Sequence, residues 1–223
     1  MKASKTVLLV MLASTLWASP PSLLINQQNP YLGFGYGLGY WTVFTADINA
    51  AFGAGNVTVD TSPLTNLSYM QQFSALMVVP ENPGQALTST EVSNIAAYIA
   101  TGGRVFLIGE NRAWAKWDSS ILGAVGGSYN KQDTRKTLTR VVLNGITMKQ
   151  ARLYTDVDGI AIGGTSLYSK NVLTMWGGNA VSLLSVDVLD DTSGANDGKF
   201  KVNIANWLAG LVVTTPEPDE VED

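Results

Sequence analysis

Two continuous apolar runs, ALMVVP at 75–80 and RVFLIGE at 104–110, bracket a segment that carries the marks of a helix. An apolar run without polar alternation suits a strand buried on both faces, the situation of a central strand in a parallel sheet. Between the runs, Thr88 and Glu91 stand three apart as a capping box, and Val92, Ile95, Ala96 and Ile99 recur at helical spacing before Gly102 and Gly103 supply a stop. Strand, helix and strand in this order require a crossover. The pattern therefore predicts a mainly parallel sheet with helices on both faces.

The alternation extends in both directions. SLLINQQ (22–28) reads as a short buried strand, and Trp41, Phe44, Ile48 and Phe52 recur at helical spacing until Gly53 and Gly55. NVTVD (56–60) alternates as a second strand. After the run at 104–110, Trp114, Trp117, Ile121 and Val125 predict another helix, ended by Gly126 and Gly127. The second half changes character: TRVVLN (139–144), VLTMW (172–176) and AVSLLSVDVL (180–189) are strand-like, and GGN (177–179) joins the last two as a tight hairpin. Phe200, Ile204, Trp207, Leu208 and Leu211 form one face of a closing helix. With 223 residues and 46% hydrophobic content the chain can build one sizeable core, and no repeat or second domain boundary is visible.

The first twenty residues, MKASKTVLLVMLASTLWASP, have two lysines, an apolar run from Val7 to Leu12 and small residues at Ala18 and Ser19. That is the three-part layout of a secretory signal over 1–18, and the run is too short to span a membrane. Export to the periplasm, the cell surface or the extracellular space is the expectation, with no membrane span in the mature chain. A domain over 22–212 and an acidic tail over 213–223 complete the organisation. The net charge is −4, and no local basic patch compensates it, so nucleic acid is a poor partner. The chain has neither cysteine nor histidine. This excludes disulfides, thiolate or imidazole nucleophiles and bases, and the common zinc sites. No cofactor and no metal is expected.

The segment NPYLGFGYGLGYW (29–41) sets glycine at every second position from Gly33 to Gly39. It is no dinucleotide fingerprint, because Leu38 and Tyr40 stand where the third glycine belongs, although Asp60 does end the second strand. A loop after the first strand of a parallel sheet opens at the carboxyl edge, where ligands bind. Tyr31, Phe34, Tyr36, Tyr40 and Trp41 there are either a stacking platform for sugar rings or an envelope protein, or rings folded back onto the core. The acids of DVLDDTSGANDGK (187–199) lack the spacing of a calcium loop and read as a polar turn capping the last helix.

The segments LTSTEVSNIAAYIATGGRVFLIGE (87–110) and AVSLLSVDVLDDTSGANDGKFKVNIANWL (180–208) resemble class I glutamine amidotransferase-like domains, in particular non-catalytic relatives from exported and membrane-associated bacterial proteins. The landmarks are Tyr98 to Gly103, then Asp187, Asn196, Phe200, Asn203, Ile204, Trp207 and Leu208. The resemblance implies a mainly parallel, flavodoxin-like three-layer α/β sandwich, here with a C-terminal antiparallel hairpin. It also places Glu110 or Asn111, in the turn IGENRAW, at the position of the family's nucleophilic cysteine. Without Cys or His, glutamine hydrolysis by that mechanism is ruled out. Pro216, Glu217 and Pro218 resemble the start of the Pro-Glu-Pro sorting signal of exopolysaccharide-producing bacteria, although an apolar span does not follow. The expectation is a binding or structural module outside the cell, with Tyr31, Tyr36, Tyr40, Trp41, Glu110 and Asn111 as candidate contacts. The alternative is a hydrolase of polysaccharide or ester that uses Glu110 with Asp187 or Asp60 as second acid.

Overall fold

The computed structural model describes residues 20–110, 112–132, 136–155, 159–191 and 197–211. The expected signal segment, Asn111, Asn196 and the Pro216–Glu217–Pro218 triplet lie outside them.

Five parallel strands carry the fold: β1 (Leu23–Asn26), β2 (Val57–Asp60), β3 (Ala75–Val78), β4 (Arg104–Ile108) and β11 (Ala180–Leu183). With β9 (Thr165–Ser166) and β10 (Leu173–Trp176) added antiparallel, the sheet order is β2-β1-β3-β4-β11-β10-β9. β1, β3 and β11 are buried at every position, the consequence of their unbroken apolar runs, whereas the edge strand β2 is half-exposed. Helices α1 (Thr42–Phe52), α2 (Leu67–Met70), α3 (Ser89–Ala100), α4 (Ala115–Gly123) and α5 (Gly198–Ala209) form the outer layers. α1 packs on α5, and α3 packs with α2 and α4. Because the direction of the crossovers reverses after β2, these two groups cover opposite faces of the sheet. The fold is thus the flavodoxin-like three-layer sandwich, and the hairpin Leu173–Leu183, which pairs Trp176 with Ala180, is its antiparallel addition.

Several details differ from the sequence reading. In α3 the buried face is Glu91, Ile95 and Tyr98, while Ala96 is exposed; the Tyr98 hydroxyl donates to the Phe73 carbonyl at 2.9 Å. The apolar run 180–189 is not one strand: it breaks after Leu183 and turns as a 3-10 helix over Val186–Leu189. α5 stops at Ala209, so Leu211 lies beyond it and is exposed.

The chain between α4 and β10 builds two small antiparallel pairs, β5 (Ser128–Asn130) with β8 (Ile160–Ile162), and β6 (Lys136–Thr139) with β7 (Arg152–Thr155). The strand expected at 139–144 is thus displaced toward the N-terminus. This excursion is fastened to α5 by polar side chains: Asn203 Nδ2 donates to the carbonyls of Ile146 (3.1 Å) and Met148 (2.6 Å), and the Phe200 amide donates to Gln150 Oε1 (3.3 Å).

Candidate functional site

In this sheet the connection from β1 runs to one side and that from β3 to the other, so the topological switch point lies between their carboxyl ends. Doubly wound sheets open a ligand crevice there. Here the crevice is stitched. Pro30 pairs with Glu81 as an isolated antiparallel bridge, and Asn82 Nδ2 donates to the Asn29 carbonyl at 3.5 Å. Trp114 Nε1, from the turn before α4, donates to the Glu81 carbonyl at 2.6 Å. Gln28 Nε2 donates across the seam to Glu91 Oε1 at 2.9 Å.

The glycine-aromatic loop lies over this seam. Gln27 clamps it from below: the Tyr36 amide donates to Gln27 Oε1 (2.8 Å), and Gln27 Nε2 donates to the Tyr36 carbonyl (3.4 Å). Gly35 is required for that approach, because a Cβ there would stand 2.5 Å from Gln27 Oε1. The rings form a continuous series. Tyr31 meets Trp114 edge-on at 4.8 Å and stacks with Phe34 at 6.5 Å; Phe34 meets Tyr40 at 4.8 Å and Trp41 at 6.5 Å, and Trp41 meets Phe44 at 5.9 Å.

Of the rings expected at a binding edge, Trp41 is wholly buried and belongs to the core, so it offers no face to a ligand. Tyr31 and Tyr36 are half-buried, Tyr36 donating from its hydroxyl to Asn49 Oδ1 at 2.6 Å. Tyr40 is the exposed member at 38%. The neighbouring Leu32, 67% exposed, holds a left-handed φ of 42°, a conformation L side chains avoid.

Glu110 closes the site from the β4 side. It is buried, and with Tyr31, Phe34, Pro80, Trp114 and Val186 it lines a dent of about 150 Å³. Its backbone amide donates to Asp118 Oδ1 at 3.1 Å. Asp118, in the first turn of α4, has no solvent exposure, and its Oδ2 has no hydrogen-bond partner. Burial pushes its carboxyl well above the usual range; the Glu110 amide opposes this and the Glu110 charge adds to it. Gly109 makes the arrangement possible, since a Cβ there would lie 2.3 Å from Asp118 Oδ1. Among the described residues, the acid shown to bear on Glu110 is Asp118. Asp60 sits at the far edge strand, where its Oδ1 accepts from the Ser62 amide at 2.8 Å, and Asp187 lies in the 3-10 turn beside Val186.

Sequence reasoning missed Asp118, although a signal existed. Trp114, Asp118, Ile121 and Val125 share one helical face, so an acid stands in the middle of an apolar stripe.

The other acids along the edge are structural. Glu91 accepts from the Thr88 amide and hydroxyl (both 2.8 Å), from Gln28 Nε2 (2.9 Å) and from the Leu64 amide (3.1 Å). Burial favours its neutral form, but these donors outweigh it and hold its pKa below the ordinary value. Glu81 is raised by burial and by the Glu91 charge, against a hydrogen bond from Asn29. In the acidic run read as a turn capping the last helix, Asp197 stands at the N-cap of α5, and Asp191 bonds the start of α1. It accepts from Thr42 Oγ1 (2.6 Å) and the Val43 amide (2.8 Å), and pairs with Lys201 Nζ at 2.9 Å. Among the described residues no three acids are grouped to hold a metal ion, and no helix is long and apolar enough to cross a membrane.

No protein-family model and no curated protein sequence matches the chain. Solved structures do match its fold. The N-terminal domain of mmIFT52 aligns with a TM-score of 0.62 at 11% identity, covering 84% of this chain and 96% of that one. A putative ThuA-like protein from Bacteroides uniformis aligns at 0.50 and 12% identity, covering 86% of this chain and 93% of that one. The exo-beta-1,4-mannosidase Op5Man5 from an Opitutaceae bacterium aligns at 0.50 and 12% identity over 87% of this chain, which spans only 36% of that enzyme. ThuA-like proteins have a glutamine amidotransferase-like fold, and at these identities fold is what the likeness shows.

Proposed function

We propose that the chain is an exported, non-catalytic binding or structural module that works at the cell surface or in the extracellular matrix in association with polysaccharide. The closed switch point carries this reading. Where the fold keeps its crevice, a bridge between Pro30 and Glu81 and a row of aromatic rings occupy the space, in a chain without cysteine or histidine. Export rests on the layout of residues 1–18. Polysaccharide association rests on the Pro216–Glu217–Pro218 resemblance and on the half-exposed rings of Tyr31, Tyr36 and Tyr40.

The competing reading, a hydrolase using Glu110, draws on the Asp118 carboxyl beside it. One experiment separates them. Secreted protein is titrated against a panel of bacterial exopolysaccharides and assayed for release of reducing ends or ester cleavage. A module binds at least one polysaccharide, Glu110→Gln keeps that affinity within about twofold, and no turnover is seen. Turnover abolished by Glu110→Gln would establish the hydrolase instead. Retention in the cytoplasm with residues 1–18 intact would remove the extracellular part of the proposal.

A further inference from the structure

We infer that Asp118 is a proton-held latch: while protonated, its carboxyl stays beneath Gly109 and keeps the Glu110 turn and its aromatic cover closed, and loss of the proton to water opens them. This carboxyl joins α4 to the turn by accepting from the Glu110 amide at 3.1 Å, beside the bond from Trp117 Nε1 to the Ile108 carbonyl at 2.9 Å. Its second oxygen is fully buried without a donor, so the ionised form has one hydrogen bond to replace a full hydration shell.

Among the described residues no cation is shown beside Asp118 to hold its charge. The ionisable side chain that bears on Asp118 is Glu110, a like charge. The β11 side presents Leu184 to it, and Lys116 of α4 and Arg112 beyond the turn are exposed to solvent. The amides of the first turn of α4 favour a negative charge, yet burial outweighs them. An ionised Asp118 can regain water only by leaving Gly109, and that movement frees the Glu110 amide and loosens the segment that carries Trp114, against which Tyr31 packs.

Amide hydrogen exchange, corrected for the intrinsic pH dependence, tests the latch. In the wild type the Glu110 amide should be at least about tenfold better protected in acid than at the alkaline end of the protein's stable range, with no comparable change at Ile25 in the sheet. In Asp118→Asn, which keeps an acceptor for the amide but cannot ionise, the ratio should fall to about one. In Asp197→Asn it should stay as in the wild type. Should Asp118→Asn not fold, Glu110→Gln gives the answer: removing the like charge should move the opening midpoint to lower pH. The inference is overturned if the wild type shows no pH-dependent protection at Glu110, if Asp118→Asn retains the full ratio, or if Glu110→Gln leaves the midpoint where it was.

Discussion

α3 and α4 begin at the same edge of the sheet, and each carries one acid in its first turn that is almost wholly buried: Glu91 is 3% exposed and Asp118 is 0%. Burial alone would raise both. Their fates separate because, among the described residues, Glu91 is met by four donors and Asp118 by one, so Glu91 is held as a carboxylate and Asp118 as an acid. Asp197 falls between them. With Gln150 Nε2 at 3.2 Å and help from the Tyr154 amide, burial pushes it only to about 6. At this edge the donors weigh against the cost of burial, which is greatest for Asp118, and the balance sets the charge. The same difference assigns tasks: Glu91 ties three segments together, and Asp118 makes one bond at the turn.

The largest effect should come from removing the hub. Glu91→Ala leaves the Thr88 amide, the Leu64 amide and Gln28 Nε2 without their acceptor, and at roughly 1 to 2 kcal/mol per orphaned buried donor the loss should reach about 4 kcal/mol. Urea unfolding measures it. Next comes Gly109→Ala, whose Cβ meets Asp118 Oδ1 at 2.3 Å and Leu184 Cδ2 at 2.8 Å. Both neighbours must shift, and for Asp118 that means giving up its bond to the Glu110 amide, so about 3 kcal/mol is expected. A cost below about 1 kcal/mol would mean that Asp118 is not seated under the turn as described.

Asp197 tests the intermediate case through pH. A carboxyl raised in the folded state adds stability that is complete below its unfolded pKa of 3.8 and is lost as pH rises through about 6. Asp197→Asn should therefore stabilise the protein by up to about 2 kcal/mol at pH 8 and bring no gain at pH 4. Asp118, Glu81 and Asp47 are raised as well, all with burial as the leading cause. Glu91 and Asp191 are lowered, and their contribution is present above the ordinary carboxylate range and fails only below it. The melting temperature of the wild type should accordingly rise as pH falls from about 8 to 5, and turn down below about 4.

The sequence made the central sheet legible because its signals are local: unbroken apolar runs for β1, β3 and β4, a capping box for α3, and glycines after α1 and α4. The excursion between α4 and β10 was not legible, because strands of three or four residues such as β5 and β8 take their register from each other across thirty residues. The Pro30–Glu81 bridge is equally non-local, so nothing in residues 29–41 discloses that their rings would close a crevice. Glu110 and Asn111 came into view through the amidotransferase-like resemblance, which sets its reactive position in the turn after this strand. The Glu110 partner, Asp118, shows in the sequence as an acid interrupting the stripe of Trp114, Ile121 and Val125, but that stripe does not disclose which backbone group the acid meets.

The smallest prediction tests the donor rule most directly. Thr88→Ala removes the hydroxyl that accepts from the Glu91 amide and donates to Glu91 Oε2, and an N-cap loss of this kind costs about 1 kcal/mol. Thr88→Ser keeps both bonds and should lie within a few tenths of the wild type. The informative quantity is the acid limb. With one donor gone, Glu91 moves toward the Asp118 condition, so its pKa rises and the pH at which the protein loses stability in acid rises with it. Adding Gln28→Ala removes a second donor and should shift that limb further in the same direction. If the limb stays fixed while stability falls, the donors hold the helix in place without holding the charge, and the contrast between the two first turns needs another cause.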